Sequence, residues 1–136
     1  MTALFEVSAY DHVGIRVSDQ NRSLAFYRML GFEVESLGAN GDPELINSAG
    51  LRIYLVVNGE EQPGAHNILL DAPVKYPGIT HSAFQIRNLD EAMAAVTAAG
   101  IRITEGTNET DRRRYFFIRD PDGNVLEFNE LKNSAE

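Results

Sequence analysis

The 136-residue chain contains no cysteine, which excludes disulfides, thiolate nucleophiles and cysteine-based zinc or iron–sulfur sites together. Basic residues are also scarce: 12 Lys and Arg against 20 Asp and Glu leave a formal net charge of −8. A surplus of that size argues against a phosphate backbone or an anionic membrane as the main partner, so neither nucleic acid nor membrane is expected. No segment approaches the run of about 18 apolar residues of a membrane span. The opening MTALFEVSAY lacks the basic start and apolar stretch of a signal peptide. What the chain does have is 43% hydrophobic residues, enough for a sizeable core. The expectation is a soluble, acidic, cytoplasmic protein with one domain over residues 8–132.

An internal repeat organises that domain. HVGIRVSDQNRSLAFYRMLGFEV (12–34) aligns without a gap on HSAFQIRNLDEAMAAVTAAGIRI (81–103), at an offset of 69 positions. His12 falls on His81, Gly31 on Gly100 and Val34 on Ile103. Each copy opens with an alternating strand, carrying Val13, Ile15 and Val17 in the first and Ser82, Phe84 and Ile86 in the second. A helix follows in each. Asp19 and Asn88 are the N-caps, Glu91 completes a capping box, and Gly31 and Gly100 sit at the left-handed stop. After each glycine comes a strand, then two more: 44–48 and 51–57 in the first half, 115–119 and 124–129 in the second, the last pair joined by the turn DPDG. Modules 10–57 and 79–130 therefore both read βαβββ. The connector 58–78 is rich in Pro and Gly and is expected to hold one short strand around Asn67–Leu70. One helix covers only one face of a four-stranded sheet, so the other face must meet the second half or another chain.

Strand parity shows what that uncovered face carries. If Val13, Ile15 and Val17 pack under the helix, His12, Gly14 and Arg16 point away from it, and by the same rule so do His81, Ala83 and Gln85. In the last strand Leu126 and Phe128 are the natural core residues, which leaves Val125, Glu127 and Asn129 on the opposite face. A lone strand-end histidine is more often a hydrogen-bonded structural residue. Two in symmetric positions, with the Glu127 carboxylate on an equivalent face, suit a divalent metal such as Fe, Mn, Ni or Zn. His66 has no such partner and reads as a surface residue of the connector.

The H-x-x-x-x-V start, the helix ending SLAFYRMLGF, the second-half His81 and the closing DPDGNVLEF resemble the vicinal oxygen chelate superfamily. That group includes glyoxalase I, fosfomycin- and bleomycin-resistance proteins and extradiol dioxygenases. The resemblance covers about residues 10–130. It implies an α+β fold of two βαβββ modules forming incomplete barrels, and metal ligands at His12, His81 and Glu127. It also implies a homodimer in which His12 of one chain can join His81 and Glu127 of the other. The substrate would be a small molecule that chelates the metal through adjacent oxygens, with the metal acting as a Lewis acid in lyase or isomerase chemistry; with Fe(II), extradiol-type dioxygenation is the alternative.

One departure from glyoxalase I is plain. Where that enzyme resembles a four-ligand arrangement, the repeat puts Tyr54, a poor substitute for a carboxylate, so Tyr54 is expected to line the pocket and orient substrate. Arg16 could offset substrate charge and Gln85 could donate to it. Asn129 could line the site. No general base is identifiable, because Glu127 is committed to the metal and no second inner carboxylate is visible. The run Arg112–Arg114 reads as a solvated loop, with an anion-binding lid as the sharper alternative. Tyr115, Phe116 and Phe117 serve strand packing and the pocket wall. The rivals to an enzyme are a bleomycin-resistance-like binding protein, which would sequester a small molecule without chemistry, and a purely structural or regulatory dimer.

Overall fold

The chain divides after Gly59 into two units, in a computed structural model that describes residues 2–132. The first unit runs β1 (Val13–Val17), α1 (Gln20–Met29), β2 (Glu33–Leu37), β3 (Pro43–Ile46) and β4 (Arg52–Val57). The second runs β5 (His81–Gln85), α2 (Leu89–Ala98), β6 (Ile103–Glu109), β7 (Arg113–Arg119) and β8 (Val125–Leu131). Both are βαβββ. The sheet orders, β1-β4-β3-β2 and β5-β8-β7-β6, are the same arrangement twice. In each, the first and last strands pair in parallel and the remaining pairs are antiparallel, which leaves the sheets open.

The local signals act as the residues dictate. Asp19 accepts the Arg22 N–H at 2.9 Å and Asn88 accepts the Glu91 N–H at 3.0 Å, each satisfying one of the donors a helix start leaves open. Gly31 and Gly100 end the two helices at φ +95° and +81°, a conformation costly for any side chain with a Cβ. Period-two burial sets the cores. In the first unit Ile15, Val17, Leu45, Ile53 and Leu55 are buried with Leu24, Phe26 and Tyr27 of α1. In the second, Phe116, Ile118 and Leu126 are buried with Leu89 and Val96 of α2, which lies against β6, β7 and β8.

Two expectations need correction. Residues 67–70 form no strand. The Asn67 side chain accepts the N–H groups of Leu69 and Leu70, at 2.9 and 3.1 Å, while its own N–H goes to Asp71, so a side-chain-closed turn outcompetes a ladder. Nor is the basic run a loop: Arg113 and Arg114 open β7, and Arg114 reaches both Asp90 and Glu130. Among the described residues, no helix is long and apolar enough to cross a membrane.

The connector is tied to the second unit. Asn67 Nδ2 donates to the Gly123 carbonyl at 3.0 Å, and Arg119 donates to both carboxylate oxygens of Asp71 at 2.7 and 2.9 Å. The Arg119 hydrogen bonds, helped by the Asn67 N–H, hold the Asp71 carboxyl well below the usual carboxylate range. A depressed folded-state value means that the stabilisation is complete above the unfolded carboxyl value near 3.9 and is lost as pH falls through the folded one. Asp71→Asn should therefore be less stable than the parent by a constant amount across neutral pH. The gap should narrow below about pH 4, as measured by denaturant unfolding at several pH values.

Candidate functional site

On the helix-free face of the second sheet, Glu127 of β8 lies in register between Ala83 of β5 and Phe117 of β7. Its neighbours Leu126 and Phe128 face the other way, so parity alone turns the carboxylate toward this side. Glu127 is only 4% exposed. His81, two residues before Ala83 on β5, brings Nε2 to 2.8 Å from Glu127 Oε1, and its ring meets the Phe117 ring edge-on at 5.3 Å. The other imidazole nitrogen, Nδ1, is 2.9 Å from the Thr80 hydroxyl. A hydroxyl both donates and accepts, so Thr80 holds the ring whether Nε2 carries a proton toward Glu127 or offers its lone pair to a cation.

Arg113 completes this group. Its guanidinium lies over the Tyr115 ring, 5.1 Å from the centroid, with Nε 3.7 Å from Glu127 Oε2. That is Coulombic range but not a hydrogen bond. The Nε is buried and has no hydrogen-bond partner. Tyr115 and Phe117 pack edge-on at 5.8 Å and form the floor of the face. Asn129 pairs in register with Gln85 and Tyr115 on the same side, its Oδ1 buried without a partner. Gln85 is exposed on β5. Thr80 is the residue that sequence reasoning missed, and of the run Arg112–Arg114, read there as a loop or an anion-binding lid, it is Arg113 that turns to this face. The signal for Arg113 was the alternation Phe117, Tyr115, Arg113, masked by the flanking arginines.

The first unit repeats part of the pattern. His12 precedes β1, and its Nδ1 is 2.7 Å from Asp11 Oδ1. A carboxylate only accepts, so Nδ1–H donates to Asp11 and Nε2 is the ring nitrogen left for another partner. Asp11 and Thr80 are thus equivalent in the repeat, and so are their roles. Tyr54 packs edge-on to His12 at 6.1 Å, between Ile53 and Leu55, which are buried on the helix side. Arg16 donates from Nε to Asn58 Oδ1 at 2.9 Å. His66 is exposed in the connector, as expected.

The expectation that the inner faces hold no second carboxylate is wrong. Glu44 of β3 lies in register with Tyr54 and accepts the Ser36 hydroxyl at 3.3 Å, and Glu105 of β6 lies in register with Phe117. The bulge in β6 obscured the parity of Glu105 in the sequence, whereas Glu44 lies on the regular alternation of β3.

His81 and Glu127 fit a divalent cation as a pair: an imidazole nitrogen and a buried carboxylate oxygen, side by side on rigid strands, the ring oriented by a hydroxyl behind it. Among the described residues, no group of three or more His, Asp or Glu residues gathers at one point. The chain itself thus brings together two of the three expected ligands, and His12 stands in the first unit.

Comparison with known proteins bears on this geometry. An integron cassette protein from the mobile metagenome of V. cholerae is 28% identical, with TM-score 0.68 over 94% of this chain and 98% of that one. The genomically encoded fosfomycin resistance protein FosX from Listeria monocytogenes has TM-score 0.71 at 19% identity, over 94% of each chain. TnmS3, an antibiotic binding protein from Streptomyces sp. CB03234, has TM-score 0.69 at 22% identity, over 94% of this chain and 99% of that one. No curated protein matches the chain. The family description Glyoxalase/Bleomycin resistance protein/Dioxygenase superfamily matches residues 9–128, nearly the whole sequence, and with two βαβββ units built to one plan the chain belongs to that superfamily.

Proposed function

We propose that the protein is a divalent-metal-dependent enzyme acting on a small molecule that chelates the metal through adjacent oxygens, with lyase or isomerase chemistry. The observation that carries this reading is the His81–Glu127 pair, 2.8 Å apart and backed by Thr80. His12 supplies the third ligand, from the same chain or from a second copy in a homodimer, its ring oriented by Asp11 at Nδ1. When bound, the cation supplies a Lewis acid that polarises the substrate's oxygens. The chain's own residues do the rest. Phe117 and Tyr115 wall the face against water, Tyr54 orients the substrate beside His12, and Glu44 offers a carboxylate that can accept a proton. Arg16 and Gln85 are charge and hydrogen-bond contacts at the rim.

A second reading, a small-molecule binding protein without chemistry, draws on the absence of a complete three-ligand cluster among the described residues. The fold does not choose between the two. FosX, one variant of which is described in complex with Mn(II) and a dihydroxypropylphosphonic acid, and the antibiotic binding protein TnmS3 share it alike. Metal analysis of anaerobically purified protein decides. About one divalent ion per chain, lost in His12→Ala and in Glu127→Gln, is the expected result; partial recovery when the two variants are mixed assigns His12 to the second copy's site, and no recovery assigns it to its own chain's. Iron with oxygen uptake would select the dioxygenase alternative. No metal binding in any preparation would overturn the enzyme reading and leave the binding protein.

A further inference from the structure

The buried Glu127 carboxylate has two cationic or potentially cationic neighbours, one per oxygen: His81 at Oε1 and Arg113 at Oε2. The other arginines of β7 are saturated. Arg114 is bound to Asp90 and Glu130, and Arg119 is clamped on Asp71 through both terminal nitrogens. Arg113 has only the 3.7 Å approach to Glu127. Its Nε is buried without an acceptor, and its side chain is 30% exposed on the helix-free face above Tyr115 and Phe117. A guanidinium has five donors in a planar fork matched to an oxyanion, and here none of them makes a hydrogen bond to Glu127. What opposes an incoming anion is the negative charge of Glu127 itself. Opposite charges this close attract strongly where water is largely excluded, so neutralising the carboxylate changes what Arg113 can hold.

We propose that Arg113 is a specificity-determining residue that receives an oxyanion of the substrate, a carboxylate, phosphonate or phosphate, and that it becomes available when the Glu127 charge is neutralised. This deepens the reading above by naming a substrate class: a small molecule carrying a chelating oxygen pair at one end and an anionic group at the other. Binding of a cation at Glu127 and of an anion at Arg113 are then positively coupled, and each raises the affinity of the other by the same factor. An acidic protein that repels anions generally would in this way admit its anionic substrate only at a loaded site.

Glu127→Gln tests this without any metal, since it removes the charge while keeping the shape. Metal-free Glu127→Gln should bind inorganic phosphate at least fivefold more tightly than the metal-free parent. The gain should vanish in Glu127→Gln/Arg113→Met and partly return in Glu127→Gln/Arg113→Lys. In the unmodified protein, Zn(II) should move the Arg113 Nε–H NMR resonance, and phosphate added after Zn(II) should move it further. Equal phosphate affinity in Glu127→Gln and parent, or a gain that survives Arg113→Met, would overturn the proposal. So would phosphate that perturbs Arg114 or Arg119 while leaving the Arg113 resonance in place. If Zn(II) fails to bind but the Glu127→Gln result holds, the metal reading fails and the anion site stands.

Discussion

Exchanging His81 for alanine and Glu127 for glutamine in one chain should cut the affinity for Mn(II) or Zn(II) by roughly a thousandfold or more, about 4 kcal/mol at 1.4 kcal/mol per decade. Both donors are fixed by strand positions and sit 2.8 Å apart, so little reorganisation is left for a cation to impose and each lost ligand counts nearly in full. The fold should survive, because neither side chain belongs to the helix-side core and glutamine preserves the volume at position 127. Calorimetric metal titration beside a circular dichroism spectrum reads both halves of the prediction. Parent-like affinity in a folded double variant would remove His81 and Glu127 from the ligand set.

Adjacent phenylalanines on β7 should give opposite results. Phe116 is fully buried, tilted against Phe128 at 5.4 Å across the β7–β8 ladder, and faces the helix. Phe116→Ala opens a cavity at the centre of the second sheet and should cost about 3–5 kcal/mol, a fall in Tm of roughly 10 °C or more. Phe117 points the other way, edge-on to His81 at 5.3 Å. Phe117→Ala should cost clearly less stability and should instead weaken metal binding by loosening the imidazole. Denaturant unfolding and metal titration on the two variants give a crossed pattern if the parity is right. Similar stability losses in both would mean that the two faces are not distinguished as described.

Much of this was legible in the chain because it is written twice. The offset of 69 carries His12 onto His81, Asp19 with Asn88 mark the helix starts, and Gly31 with Gly100 mark the ends; each signal is local, and the structure uses all of them. Period-two alternation then suffices to put Glu127 and His81 on one face. What was not legible depends on contacts between distant positions or on a broken period. Asp71 finds Arg119 across 48 residues, and nothing near Asp71 in sequence announces it. A bulge in β6 shifts the parity by which Glu105 would have been recognised. Three consecutive arginines hide which of them turns inward. Asn67 was misjudged for another reason: its apolar followers suggest a strand, yet its own side chain closes the turn.

The parallel pairing of β5 with β8 has a kinetic meaning. The strands that bear His81 and Glu127 are the two ends of the second unit's chain, and a helix, two strands and the DPDG turn must be threaded between them. Such distant closure pays its loop entropy before any contact rewards it, so it belongs to the late part of folding. The His81–Glu127 pair should therefore form only as the chain completes its architecture. If the pair binds a cation as proposed, metal uptake during refolding would report the arrival of the last strand.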